Sequence, residues 1–166
     1  MLKGQDIVVL AALMDEGRAD EPYAELARRV RISASEAHAA VRRLRESRLV
    51  GSDRRVQRRN AMEFLLHGLR YAFPLRSAGR TVRGMPTSYA APVARDAFAV
   101  SGAAPVWQTG DGGAFGQAVE PLYPTAPAAA TDSPELYDRL AILDMLRGGR
   151  LRERQFAEER LREMFQ

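Results

Sequence analysis

The sequence predicts a mainly α-helical protein with one small β-hairpin near residue 50, an irregular middle segment rich in proline and glycine, and two helices at its C-terminal end. Three observations carry this reading. Apolar residues recur at spacings of three and four through residues 4–72 and again through 136–165, as in helices that bury one face. Ser33 and Glu36 stand three apart at the head of such a run, the spacing of a capping box. From Pro74 to Thr131 the composition turns to Pro, Gly, Ala and Ser, and no helical period persists. The 166 residues are 46% hydrophobic and 28% charged, which predicts a folded core and excludes wholesale disorder.

The first helix is predicted over Gly4 to Met14, where Ile7, Val8, Leu10, Ala11 and Met14 are dense enough for a mostly buried element. Pro22 suits the first turn of a second helix, because its missing N–H has no partner there, and Tyr23, Leu26, Ala27 and Val30 then share an inward face. A third helix starts at the Ser33–Glu36 box and turns Ala37, Ala40, Val41 and Leu44 inward, leaving Ser35, His38, Ala39, Arg42, Arg43 and Glu46 on other faces. Leu49–Ser52 and Val56–Arg59 read as the strands of a short hairpin with arginines at its tip. Asn60 can cap a fourth helix running to about Ala72, with His67 in the core or an interface.

In the middle segment, Thr81–Thr87 and Phe115–Val119 are the best candidates for strands. The Gly110–Gly116 run matches neither a dinucleotide fingerprint nor a P-loop and reads as a hairpin turn. Asp132 or Ser133 caps a helix carrying Leu136, Leu140, Leu143 and Leu146. After Gly148-Gly149 a last helix carries Leu151, Leu161, Met164 and Phe165, and the acids Asp138 and Asp144 read as a solvated face.

The net charge of +4 is unevenly spread. Residues 28–59 hold eleven arginines against three acids, a local excess of +8 that leaves −4 for the rest of the chain. Such asymmetry is the electrostatic footprint of a polyanionic partner. With no cysteine and two histidines, thiol chemistry and Cys-based zinc sites are excluded. There is no serine-nucleophile elbow and no HExxH, so no enzyme and no cofactor is expected. No apolar run of membrane-spanning length and no signal-like N-terminus is found, which predicts a cytoplasmic protein without a membrane partner.

Tyr23-Ala24-Glu25-Leu26-Ala27, the turn, the capped helix Ser33-Ala34-Ser35-Glu36-Ala37-His38-Ala39-Ala40-Val41-Arg42-Arg43-Leu44 and the hairpin opened by Leu49-Val50 together resemble a winged helix-turn-helix of the MarR-like and Lrp-like bacterial transcription regulators. The resemblance covers roughly residues 4–72; the chain as a whole resembles bacterial proteins that carry this domain. Pro22 departs from the family, which often has Ser or Thr there. The resemblance implies a mainly α fold with a small β-wing. It divides the chain into a DNA-binding domain at 1–73, an irregular short-strand segment at 74–131 for an effector or partner, and a helical dimerisation segment at 132–166.

It further implies sequence-specific binding to double-stranded DNA as a homodimer, with helix 34–46 in the major groove and repression as the outcome. Ser33 would belong to the DNA-binding surface, Ser35 and Ala39 would allow close approach, His38 would donate to a base or phosphate, and Arg42 would read guanine. Arg29, Arg31 and Arg43 would hold phosphates beside the helix, as Arg54, Arg55 and Arg58 would from the wing. The competing reading is a partner-protein module, an antitoxin or adaptor that grips its partner with the middle and C-terminal segments.

Overall fold

The apolar density of the first helix decides the architecture. In the computed structural model, which describes residues 1–166, α1 (Gly4–Leu13) is buried from Gln5 through Leu13. A helix apolar on all faces needs neighbours on all faces. They are α2 (Tyr23–Val30), α3 (Ala34–Glu46) and, from the other end of the chain, α7 (Pro134–Gly148). One core therefore runs through all three segments, from Ile7, Leu26 and Leu44 through Leu65 and Trp107 to Leu136, Leu140 and Leu143. The apolar faces of α1 and α7, the second within the segment expected to dimerise, are consumed within the chain.

Pro22 stands just outside α2, where its carbonyl accepts from the amides of Glu25 (2.9 Å) and Leu26 (3.2 Å). The helix ends at Arg31, whose φ of +62° lets the Ile32 amide reach back to the Ala27 carbonyl at 3.0 Å. A left-handed arginine costs on the order of 1 kcal/mol, and this turn sets the direction of α3. The capping box forms as the spacing predicts: the Ser33 hydroxyl accepts from the Glu36 amide (3.1 Å), and the Glu36 carboxylate accepts from the Ser33 amide (2.8 Å). Ala37, Ala40, Val41 and Leu44 are buried.

The hairpin is narrower than its sequence suggests. Gln57 donates to the Leu49 carbonyl and Gly51 to the Arg55 carbonyl, both at 2.8 Å, around a single Val50–Val56 bridge, with Arg54 left-handed in the turn. Val56 is its last buried residue. The Gln57 carbonyl then accepts from the Ala61 amide, so α4 (Arg58–His67) starts three residues early and takes Arg58 and Arg59 out of the wing. Asn60 is thus inside the first turn rather than capping it, and its amide donates to the Arg48 carbonyl (2.8 Å). Gly68 separates α4 from the single turn α5 (Leu69–Ala72). The inward face is Ala61, Leu65 and Leu69, which leaves His67 exposed rather than in the core.

The middle segment holds three strands, β1 (Ser77–Pro86), β2 (Ala104–Gln108) and β3 (Ala114–Val119). β1 pairs antiparallel with both others, and β2 pairs parallel with β3, so the three close on one another. The Gly110–Gly116 run is therefore a connection between parallel strands and not a hairpin turn. Glycine is required for the closure, since a Cβ on Gly84 would overlap the Trp107 carbonyl and one on Gly112 the Gly84 backbone.

A short helix, α6 (Ala126–Asp132), which the sequence does not announce, precedes α7; α8 (Leu151–Met164) follows it. Ser133 is the α7 cap, accepting from the Leu136 amide at 3.2 Å. Asp144 does not face solvent: it is 1% exposed and accepts from Thr87 Oγ1 (2.7 Å), Trp107 Nε1 (2.9 Å) and Arg147 Nη1 (2.5 Å). These bonds anchor the strands on α7. Ala157 and Leu161 bury α8, and Phe156 meets Phe98 edge-on at 5.4 Å, while Leu151 is exposed. No helix is long and apolar enough to cross a membrane.

Candidate nucleic-acid interface

Because α3 turns Ala37, Ala40, Val41 and Leu44 into the core, its helical period presents Ser35, His38 and Arg42 on the opposite side, and all three are exposed. Ala39 is not part of this stripe. It is half-buried beside Tyr123 and Lys3, on the flank it shares with Glu36 and Arg43. Ser33 is exposed at the head of the helix, with its hydroxyl engaged in the cap.

His38 stacks on Tyr23, ring centroids 3.6 Å apart and planes 25° from parallel, and the Arg54 guanidinium lies 4.6 Å from the same tyrosine ring. The sequence reading places Tyr23 on the core face of α2. It is half-buried against the core there, and its ring also joins the starts of α2 and α3 to the hairpin. The available signal is an aromatic ring near the start of each helix of the pair, Tyr23 at the first position of α2 and His38 at the fifth of α3. Arg54 Nη1 is buried here with no hydrogen-bond partner.

The arginines divide sharply. Arg43 donates to buried Asp6 through Nε (2.8 Å) and Nη2 (2.7 Å), with its side chain 15% exposed; that hydrogen bond comes first among the interactions that raise its pKa. Arg29 donates to Glu21 (2.5 Å) and to the Ala12 carbonyl (3.1 Å), with its side chain 13% exposed. Both lock helices together and neither is free for a phosphate, as the sequence reading assumes. The reason is that their carboxylates arrive from other elements. Arg31 pairs with Asp132, Arg58 with Glu16 (2.8 Å) and Arg55 with Asp53 (3.6 Å) and Asp20 (3.9 Å), all about half-exposed and readily exchanged for another anion. Arg58 acts from α4, not from the hairpin. Arg42 makes no ion pair and no side-chain hydrogen bond.

Folding therefore redistributes the charge. Asp6, Glu16, Asp20, Glu21 and Asp132 all come from outside residues 28–59 and all pair with arginines inside it. The arginines of this segment left without an ion pair are Arg42, Arg45 and Arg48 in and just after α3, Arg54 in the hairpin and Arg59 on α4. At the head of α3, the Ser33 amide and then its hydroxyl hold the Glu36 carboxyl below its usual range, which fits a cap rather than a base contact. No group of three or more His, Asp or Glu side chains is placed to hold a metal ion. No protein-family model, curated protein or solved structure matches the chain.

Proposed function

We propose that the chain is a sequence-specific regulator of transcription that binds double-stranded DNA as a winged helix-turn-helix and reads the major groove with α3. The observation that carries this reading is Arg42. It stands on the exposed stripe of a capped helix with its five donors unspent, while its neighbour Arg43 is used up on Asp6. With Arg42 in the groove, Ser35 allows close approach and His38, stacked on Tyr23, stands exposed on the same stripe. Arg54, Arg55 and, by exchange, Arg31 and Arg58 supply phosphate contacts. Bound as a homodimer to a pseudo-palindromic site, the protein would repress by occlusion.

The test is selection of genomic duplexes followed by anisotropy titrations at several salt concentrations. Affinity should fall steeply with salt, and Arg42→Ala should relax discrimination at one base pair by about 1–3 kcal/mol. Folded protein that binds no duplex at low salt, and instead co-purifies with the product of a neighbouring gene, would overturn the reading in favour of a partner-protein module.

A further inference from the structure

A polar cleft of about 470 Å³ opens where α2 faces the corner between α6 and α7. Its volume suits a small molecule, but Ala129 and Leu136 are the only apolar residues in its lining. Four arginines face it, and three are matched: Arg18 with Asp15 (3.1 Å), Arg28 with Glu25 (3.0 Å) and Arg29 with Glu21 (2.5 Å). Asp132, on the same wall, is taken by Arg31.

Arg139 is the exception. It is partly withdrawn from water, has no carboxylate within ion-pair distance, and spends one donor on the Ala11 carbonyl at 3.3 Å. Burial lowers its pKa and the Arg29 charge adds to this, while the charges of Asp15, Glu135 and Asp138 oppose it. A guanidinium has five N–H donors, so most of the capacity of this cleft-lining arginine is unspent within the protein.

We propose that this cleft is a binding site for a small anion whose carboxylate or phosphate group sits on Arg139. Asp15 and Glu135 at the rim repel an extended polyanion and accept from N–H or O–H groups, so the ligand is compact and carries donors of its own. The site is a property of the chain whether or not it binds DNA. Its regulatory use rests on the DNA-binding reading: Arg31 closes α2 and opens the turn into α3, so a ligand that draws Asp132 away from Arg31 changes how α3 is held.

The test is calorimetric titration of the full chain with inorganic phosphate and, separately, succinate at constant ionic strength, with amide shifts followed by NMR. Saturable binding of at least one probe, at millimolar strength or tighter, is expected, with shifts centred on Ala12, Ala129 and Leu136. Phosphate alone would identify a phosphorylated ligand, succinate alone a carboxylate. Arg139→Gln should weaken binding about tenfold. Because that variant also loses the bond to Ala11, the exposed Arg18→Gln is the second variant, with a loss of about threefold. No saturable binding of either probe, or shifts that map elsewhere, would overturn the site. Anion binding by a chain that binds no DNA would establish the site and overturn the DNA-binding reading alone.

Discussion

Asp6 and Asp144 are the two carboxylates this fold withdraws from water, and an arginine answers each, yet the two pairs hold the molecule differently. Asp6 accepts from the Lys3 amide (2.8 Å) and from two nitrogens of Arg43, and that guanidinium lies at an edge from which it can reach water. Asp144 accepts from three side chains: Thr87 just after β1, Trp107 in β2 and Arg147 one turn further along its own helix. Its arginine, Arg147, is 5% exposed at the side chain and also donates to the Phe73 (2.7 Å) and Pro74 (3.4 Å) carbonyls. Burial pushes the Asp144 carboxyl up, while the Arg147 charge and the three hydrogen bonds pull it down. The first pair clamps α1 to α3; the second fastens the middle strands to α7. A buried charge is costly to break in proportion to how completely its partners are trapped with it.

Removing Asp144 should therefore do the most damage. Asp144→Ala strands a buried guanidinium and leaves the Thr87 and Trp107 donors unanswered, a loss of about 3–5 kcal/mol measured by urea unfolding. The single tryptophan reports the site directly, so its emission and near-ultraviolet dichroism should change in the folded variant. A loss under about 1 kcal/mol would remove Asp144 as the anchor of the strands. Asp6→Ala should cost less, about 2 kcal/mol, because Arg43 can turn to solvent. Equal losses in the two variants would break the comparison.

The same contrast explains what the chain discloses before it folds. The helix pair is legible because its rules are local: the Ser33–Glu36 box and the spacing of Ala37, Ala40, Val41 and Leu44 are all within twelve residues. β1 and β3 are partly legible from Thr81–Thr87 and Phe115–Val119, but their closure depends on Gly84 and Gly112 meeting in space. Asp144 reads as a surface charge because Thr87 and Trp107 lie 57 and 37 residues away. At the candidate interface, the outward placement of Ser35, His38 and Arg42 follows from the helical period. The loss of Arg29 and Arg43 to Glu21 and Asp6 does not, because no periodicity brings those acids to them.

Arg42 and Arg43 carry the comparison down to neighbouring residues. Arg43→Ala leaves Asp6 buried without its cation and should destabilise the fold by about 2–3 kcal/mol. Arg42→Ala should leave stability within about 0.5 kcal/mol of the parent while lowering DNA affinity by about 1–3 kcal/mol. Unfolding and DNA titrations on both variants separate the two roles. A stability loss at Arg42 matching that at Arg43 would place Arg42 in the packing and remove the observation on which the DNA-binding reading stands.

The smallest effect belongs to the cap. Ser33 lowers the Glu36 pKa, so the folded chain holds the ionised carboxylate more tightly than the unfolded chain does. Its contribution is then complete above the ordinary carboxylate range and disappears as pH falls through the depressed folded value. Glu36→Ala should lower the melting temperature slightly at neutral pH, with the difference from the parent closing as the solution is acidified below that range. A Glu36 difference that persisted unchanged in acid would mean that the side chain acts through packing against Gln5 and Tyr123 rather than through its charge at the head of α3.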